Sequence, residues 1–319
     1  MNLQTKIPLP KRPNNLIGYE SNILLLGSCF VENIGEKLDY FKFKNLINPF
    51  GVLFNPKAIE ALVRNSVQGK VYSEVDIFQN NEQWHCFDAH SKLSNSSKPG
   101  LLNDLNEQVT LTANQLKNAS HVIITLGTAW VYRNKESNNV VANCHKMSQN
   151  VFSKELLSVD EVLVSLKAMV DSIREVNPDV SIIFTVSPVR HLKDGFVENT
   201  QSKAHLITAI HKLLSTSVES GGLHYFPSYE IMMDELRDYR FYTEDMIHPN
   251  QTAIDYIWGK FKEVWIASVA QKTMDDVCAV QKGLLHKPFN PNSEAHQKFL
   301  RNLKQKQKDL KAQFQHISF

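Results

Sequence analysis

Cysteine is scarce in this chain: four among 319 residues, at positions 29, 86, 144 and 278, with no Cys-x-x-Cys pair. Scattered thiols of this kind argue against a disulfide scaffold and against a structural zinc knuckle, and a reducing, cytoplasmic setting is expected. His85-Cys86 and Cys144-His145 are adjacent pairs, and adjacent residues of a strand point to opposite faces. No metal and no cofactor is therefore expected, with a zinc site gathered from Cys29, Cys86, Cys144 and His248 as the alternative. Excess charge is lacking too. Lys plus Arg number 35 against 33 Asp plus Glu, a formal net charge of +2, which gives no electrostatic case for nucleic acid or an anionic membrane as a partner. No apolar run approaches the length of a spanning helix, and Met1 to Pro8 offers no stretch suited to a signal peptide. There is no internal repeat.

What is present is a full-sized core, with 42% hydrophobic residues. Four apolar, β-branched-rich runs, 22–26, 121–126, 180–186 and 223–226, read as buried strands of a mostly parallel sheet. Helical spacing follows or separates them. Val31, Ile34 and Leu38 share one face; Ser158 and Glu161 form a capping box ahead of Val162, Leu166, Met169 and Ile173; Asn177-Pro178 stops that helix. Ile207, Ile210 and Leu214 mark another helix, and Ile254, Ile257, Trp258 and Phe261 a further one. Such alternation predicts an α/β layered fold. Strand-like pieces over 70–78 and 83–87 predict a hairpin insertion turning near Asn80-Asn81, and 91–100 reads as an exposed loop. The composition then divides the chain into a domain over 1–288 and a charged helical tail over 289–319. In the tail, Leu303, Leu310 and Phe314 lie on one side, to pack on the domain or on a second copy in a homodimer.

Ligands of such sheets bind beyond the carboxyl ends of the strands, where Gly27-Ser28-Cys29, Gly127-Thr128 and Ser187-Pro188 are expected. Ser28 and Cys29 are candidate nucleophiles at a strand-to-helix corner, where a helix amino terminus and a nearby imidazole favour a thiolate. Asp245-Met246-Ile247-His248-Pro249 places an acid three residues before a histidine. Asp245 would fix the His248 tautomer while the other ring nitrogen serves as base. The structural alternatives are an inert buried cysteine, a helix-capping Ser28, and an Asp245 that caps the helix beginning near Asn250. Trp84, Trp130, Phe50 and Phe54 offer either a stacking wall or core packing.

With Gly27-Ser28-Cys29-Phe30, Asn48-Pro49-Phe50-Gly51, Trp84-His85-Cys86-Phe87-Asp88, Asn143-Cys144-His145-Lys146, Ser187-Pro188-Val189-Arg190-His191 and Asp245 to Pro249 in order, the chain resembles the GSCFA family from about Ile23 to Trp258. That family is in turn similar to the SGNH/GDSL hydrolases, which implies a flavodoxin-like three-layer sandwich. The resemblance implies a nucleophile at the position of Cys29, with Ser28 the rival. It also implies an oxyanion glycine at Gly51, so that the N–H groups of Cys29 and Gly51 would be the first oxyanion donors, and a further block at Gly127-Thr128-Ala129-Trp130, where Ala129 stands in place of the expected asparagine. Asn143, His145 and Arg190 are candidates to replace that donor, and Arg190 suits a substrate carboxylate or phosphate equally well.

The implied activity is an SGNH-like acyl esterase acting on a small-molecule or carbohydrate ester through a Cys/Ser-His-Asp site. The alternatives are an O-acyltransferase using the same groups and a non-catalytic binding protein with a decayed site.

Overall fold

The computed structural model describes residues 4–216 and 221–319; Met1 to Leu3, the start of the segment read above for a leader, lie outside the described residues. In chain order the first half comprises β1 (Asn22–Gly27), α1 (Cys29–Tyr40), β2 (Lys44–Ile47), α2 (Pro56–Val67), the hairpin β3 (Ile77–Asn80) and β4 (Gln83–Cys86), α3 (Lys98–Asn118) and β5 (His121–Leu126). Next come β6 (Trp130–Asn134), β7 (Val140–Val141), β8 (Phe152–Leu156), α4 (Val159–Val176), β9 (Ser181–Val186), α5 (Phe196–Thr216) and β10 (Leu223–Tyr225). A short α6 (Ser228–Glu230), α7 (Gln251–Trp265), α8 (Gln271–Leu284) and α9 (Glu294–Gln313) complete the set.

The central sheet runs β10-β9-β5-β1-β2, and every neighbouring pair is parallel. Numbered among the parallel strands alone, that is the 2-1-3-4-5 order of a flavodoxin-like sheet. The strands lack apolar/polar alternation because both faces are covered. Leu24, Leu26, Val122, Ile124, Ile182 and Phe184 pack into one core with α2 to α5. Ile23, Leu25, Ile123 and Ile183 point the other way, into a second core with α1, α7, α8 and α9. Three layers result. Chain order reverses between β1 and β5, so the crevice beyond their carboxyl ends is where such a fold receives a ligand.

Most expected elements are present. The Ser158–Glu161 capping box has both of its reciprocal bonds, and α9 starts at Ser293, whose side chain caps it, and buries Leu303 and Leu310. Among the described residues no helix is long and apolar enough to cross a membrane.

Several expectations need correction. Only Ile77 and Phe78 of the strand-like piece over 70–78 lie in β3; Ser73 instead caps a single turn at Glu74–Asp76. The loop read over 91–100 stops early, because Ser97 caps α3 and Pro99 fits its first turn. A second, antiparallel sheet, β7-β6-β8, is not legible in the sequence; β7 has two residues and β8 carries Ser153, Lys154 and Glu155 outward.

The corner between β1 and α1 is the tightest point of the site. Gly27 has φ 132°, and a Cβ there would stand 2.1 Å from the Thr125 carbonyl oxygen of β5. Its N–H is held by the Asn48 side chain at 2.9 Å and its carbonyl by the Leu53 N–H at 3.0 Å. Gly27→Ala should cost at least about 2 kcal/mol of stability, since it strains the backbone and displaces β5 together. Urea denaturation measures the loss, and an unchanged midpoint would refute this account of the corner.

Candidate functional site

Helix α1 begins directly at the carboxyl end of β1, with Ser28 as its N-cap residue and Cys29 its first turn. Ser28 is fully buried, its side chain makes no cap bond, and its Oγ has no hydrogen-bond partner. Cys29 is only partly buried. The expectation of an acidified thiol is corrected here. Burial first, and then the Glu32 carboxylate, push the Cys29 thiol above its ordinary value, outweighing Lys203 and the first-turn N–H groups of Cys29 and Phe30. The helix terminus acts as expected but the desolvated sulfur stays protonated at rest.

The loop after α6 and before α7 supplies the second half. His248 Nδ1 lies 2.6 Å from Asp245 Oδ2, while Asp245 Oδ1 accepts from Thr243 Oγ1 at 2.7 Å and from the N–H groups of Ile247 and His248 at 2.9 and 3.0 Å. These donors, the His248 N–H foremost, hold the Asp245 carboxyl far below the usual range. A permanent carboxylate therefore fixes the His248 ring, and its other nitrogen makes no hydrogen bond among the described residues. Helix α7 is capped by Asn250, not by Asp245. Among the described residues no hydrogen bond joins His248 to Cys29 or Ser28.

What connects the two halves is a pair of residues that sequence reasoning passes over. Lys203, on α5, is wholly buried, and its Nζ donates to the carbonyls of Gly127 at 2.7 Å and Ser187 at 2.8 Å, the first residues beyond β5 and β9. Burial brings its amine down to about 7, against a raising influence from Cys29 and a further lowering from Arg190. His191 follows β9 and packs edge-on against Phe54, with ring centroids 5.0 Å apart. Burial, then the charges of Lys203 and His248, take it down to about 3, so it is a neutral ring. Its Nε2 is a second buried atom without a partner. The position of a Cβ on Gly127 would be 3.1 Å from that nitrogen and 3.2 Å from Ser28 Cβ, so two unpartnered polar side chains flank one glycine.

The expected oxyanion donors fare differently. The Gly51 N–H closes a turn onto Asn48 O at 2.7 Å, and the N–H groups of Gly127 and Thr128 both donate to Phe54 O, at 2.7 and 3.0 Å. None of the three is free to hold an oxyanion, which corrects that assignment. Thr128 Oγ1 is buried against Ser202 Oγ and accepts from Trp130 N–H. Asn143 and His145 sit instead at the hairpin: His145 Nε2 lies 2.7 Å from Cys86 O and its ring stacks near His85, while Asn143 bonds Ser91 and the His145 N–H. Burial takes His145 down to about 4. They brace the hairpin. Of the four aromatics, Phe50 is core and Trp84 and Trp130 lie under Lys98 and Lys154, which leaves Phe54 beside the site.

Arg190 remains with the site, donating to Tyr242 Oη at 3.3 Å and to Met233 Sδ at 3.0 Å. It lines a cleft of about 480 Å³ together with Phe196, Met232, Tyr239 and Asp245. Neither Cys29, Ser28 nor His248 lines that cleft; it adjoins the dyad from the Asp245 side.

His191 is within reach of sequence reasoning, since it ends the Ser187-Pro188-Val189-Arg190-His191 stretch. Lys203 also leaves a signal, because it precedes Leu206 and Ile210 on the inward face of its helix.

The Lys203 amine titrates at its ordinary 10.5 when unfolded and near 7 when folded. Between those values the unfolded chain binds more protons, so stability rises with pH and falls as pH drops toward 7. The stability difference between the wild-type chain and Lys203→Met should therefore rise with pH across this window, by at most about 1.4 kcal/mol per unit, and flatten below it. Parallel urea titrations at several pH values give the slope; no slope would mean that the amine stays charged.

The GSCFA family model matches residues 22–261, from the first residue of β1 into α7, and a GSCFA C-terminal domain model matches 277–319. No curated protein matches the chain. Solved structures similar to it include a carbohydrate esterase of family 3 from Talaromyces cellulolyticus, at 12% identity and a TM-score of 0.37, covering 81% of this chain and 99% of that one. A mutant acetyl esterase with an acetate ion is similar at 12% identity and 0.37, covering 82% and 99%. An acetyl xylan esterase from the rumen bacterium Butyrivibrio proteoclasticus stands at 10% and 0.36, covering 78% and 65%. From the glycine corner through the Asp-x-x-His loop, then, this chain belongs to the GSCFA family.

Proposed function

We propose that the protein is an acyl hydrolase of the SGNH type, cleaving a small ester through Cys29, His248 and Asp245. The observation that carries this reading is the Asp245–His248 pair, held at 2.6 Å in a loop tied by Arg190 and Tyr242 to the carboxyl edge of the sheet. A partly exposed imidazole, oriented by a permanent carboxylate, is what a general base requires. Cys29 is favoured over Ser28 because a nucleophile must meet its substrate, and Ser28 is fully buried.

In the reaction the Cys29 S–H proton passes to the free nitrogen of His248 as the sulfur adds to the ester carbonyl. Resting catalytic hydrogen bonds are often long and tighten when substrate is bound. The first-turn N–H groups of Cys29 and Phe30 and the nearby Lys203 then stabilise the oxyanion in this reading. Collapse breaks the ester C–O bond, and the leaving alkoxide takes the proton from His248. Water, deprotonated by His248, then splits the thioester to a carboxylic acid and regenerates the thiol. If a sugar or other hydroxyl takes the place of water, the same groups perform O-acyl transfer.

Purified protein should turn over short p-nitrophenyl esters, with an acyl adduct on Cys29 visible by intact mass. His248→Ala should lower kcat by about 10²–10⁴, Cys29→Ala should abolish turnover and adduct together, and Ser28→Ala should retain both. Transfer to glycan hydroxyls without hydrolysis would move the assignment to acyltransferase. No acyl adduct with any activated ester, together with no effect of His248→Ala, would remove the covalent reading in favour of a binding protein.

A further inference from the structure

The cleft beside Asp245 has a composition that the acyl-transfer groups do not explain. Its rim carries large apolar side chains left in solvent: Phe196 is 69% exposed, Tyr239 74% and Met246 52%. Its floor is the fully buried Met232 with Leu236. Met232 and Met233 sit on a π-wound turn over Ile231–Glu235, a widened winding often found where a helix is shaped around a function. Methionines give an apolar wall that adapts to its occupant. At about 480 Å³ the space suits a small organic molecule.

The charges are asymmetric. Arg237 pairs with Asp234 at 3.1 Å, Asp238 with Arg240 at 3.0 Å, and Asp245 with His248 at 2.6 Å. Arg190 alone among the charged residues lining the cleft has no oppositely charged partner among the described residues; its contacts are a phenol oxygen and a thioether sulfur. A guanidinium on an apolar floor is a counter-ion awaiting an anion, and its planar fork matches carboxylate and phosphate oxygens.

We propose that this cleft binds the part of the substrate remote from the scissile bond, and that this part is an apolar group bearing an anionic oxygen function, carboxylate or phosphate, neutralised by Arg190. The assignment of this ligand as substrate rests on the acyl-hydrolase reading; the binding itself does not. The apolar group lies against Met232, Leu236 and the Phe196–Tyr239 rim, and the anion reaches Arg190, beside the Asp245–His248 pair.

The test uses ligands without a carboxylic ester, the 2-naphthylacetate anion and 2-naphthyl phosphate against the uncharged 2-naphthylacetamide, titrated by calorimetry into the full chain. At least one anion should bind about tenfold tighter than the amide, the worth of a charge-assisted hydrogen bond, and which one does so distinguishes carboxylate from phosphate. Arg190→Met should erase that preference while still binding the amide, which also shows that the variant is folded. If Arg190→Met does not fold, Arg190→Lys should retain only part of the preference. Arg237→Gln should leave it intact. Equal binding of anions and amide, or a preference that survives Arg190→Met, overturns the proposal. Because none of these ligands is a carboxylic ester, such a failure concerns the cleft alone, whereas absent ester turnover concerns Cys29 and His248.

Discussion

A lysine amine with no access to solvent sits between the Gly127 and Ser187 carbonyls, at the ends of two neighbouring strands. Taking an ammonium group out of water costs several kcal/mol unless polar atoms replace its hydration. Here the two carbonyls replace part of it, and the rest of the surroundings adjust to the charge. His191 is held neutral in part by Lys203, and the Cys29 sulfur lies close enough for the two groups to influence each other's protonation. The same amine that ties β5 to β9 thus sets the electrostatics beside Cys29.

The loops around that amine largely satisfy one another. Phe54 O takes the N–H groups of both Gly127 and Thr128, Asn48 holds Gly27, and Gly51 closes back on Asn48. The N–H groups of Cys29 and Phe30 at the mouth of α1 act instead on the Cys29 sulfur, against the effect of its burial. The backbone around the strand ends is therefore held by its own hydrogen bonds, while the first-turn N–H groups of α1 face the Cys29 sulfur.

Much of this is legible in the chain. Strands buried on both faces announce themselves as unbroken apolar runs, which is why β1, β5 and β9 can be placed, and the Ser158–Glu161 box marks the start of its helix. The Asp245–His248 pairing follows from spacing alone. Helix α3 and strand β2 escape notice for a physical reason. Apart from a few anchors such as Leu101 and Leu105, the face of α3 is polar, and β2 is a half-buried edge strand whose Lys44 and Asn45 hide its pattern. That the Gly127 and Thr128 N–H groups are already taken is not legible in the sequence, because the fate of a backbone N–H depends on contacts far away in the chain, here Phe54 O. Lys203 is overlooked because a lysine on a helix is ordinarily solvated, and only the packing of α5 against two strand ends reveals otherwise.

The two layers flanking the sheet are assembled from different stretches of polypeptide. Helices α2 to α5 follow one another in sequence and finish at residue 216, whereas α1 shares its layer with α7, α8 and α9 from the far end. During synthesis one side of the sheet has all its cover while the other still waits for Trp258, Val277 and Leu303 to emerge. The helix bearing Cys29 is thus made before the other helices of its layer and is enclosed only once α7, α8 and α9 have followed it.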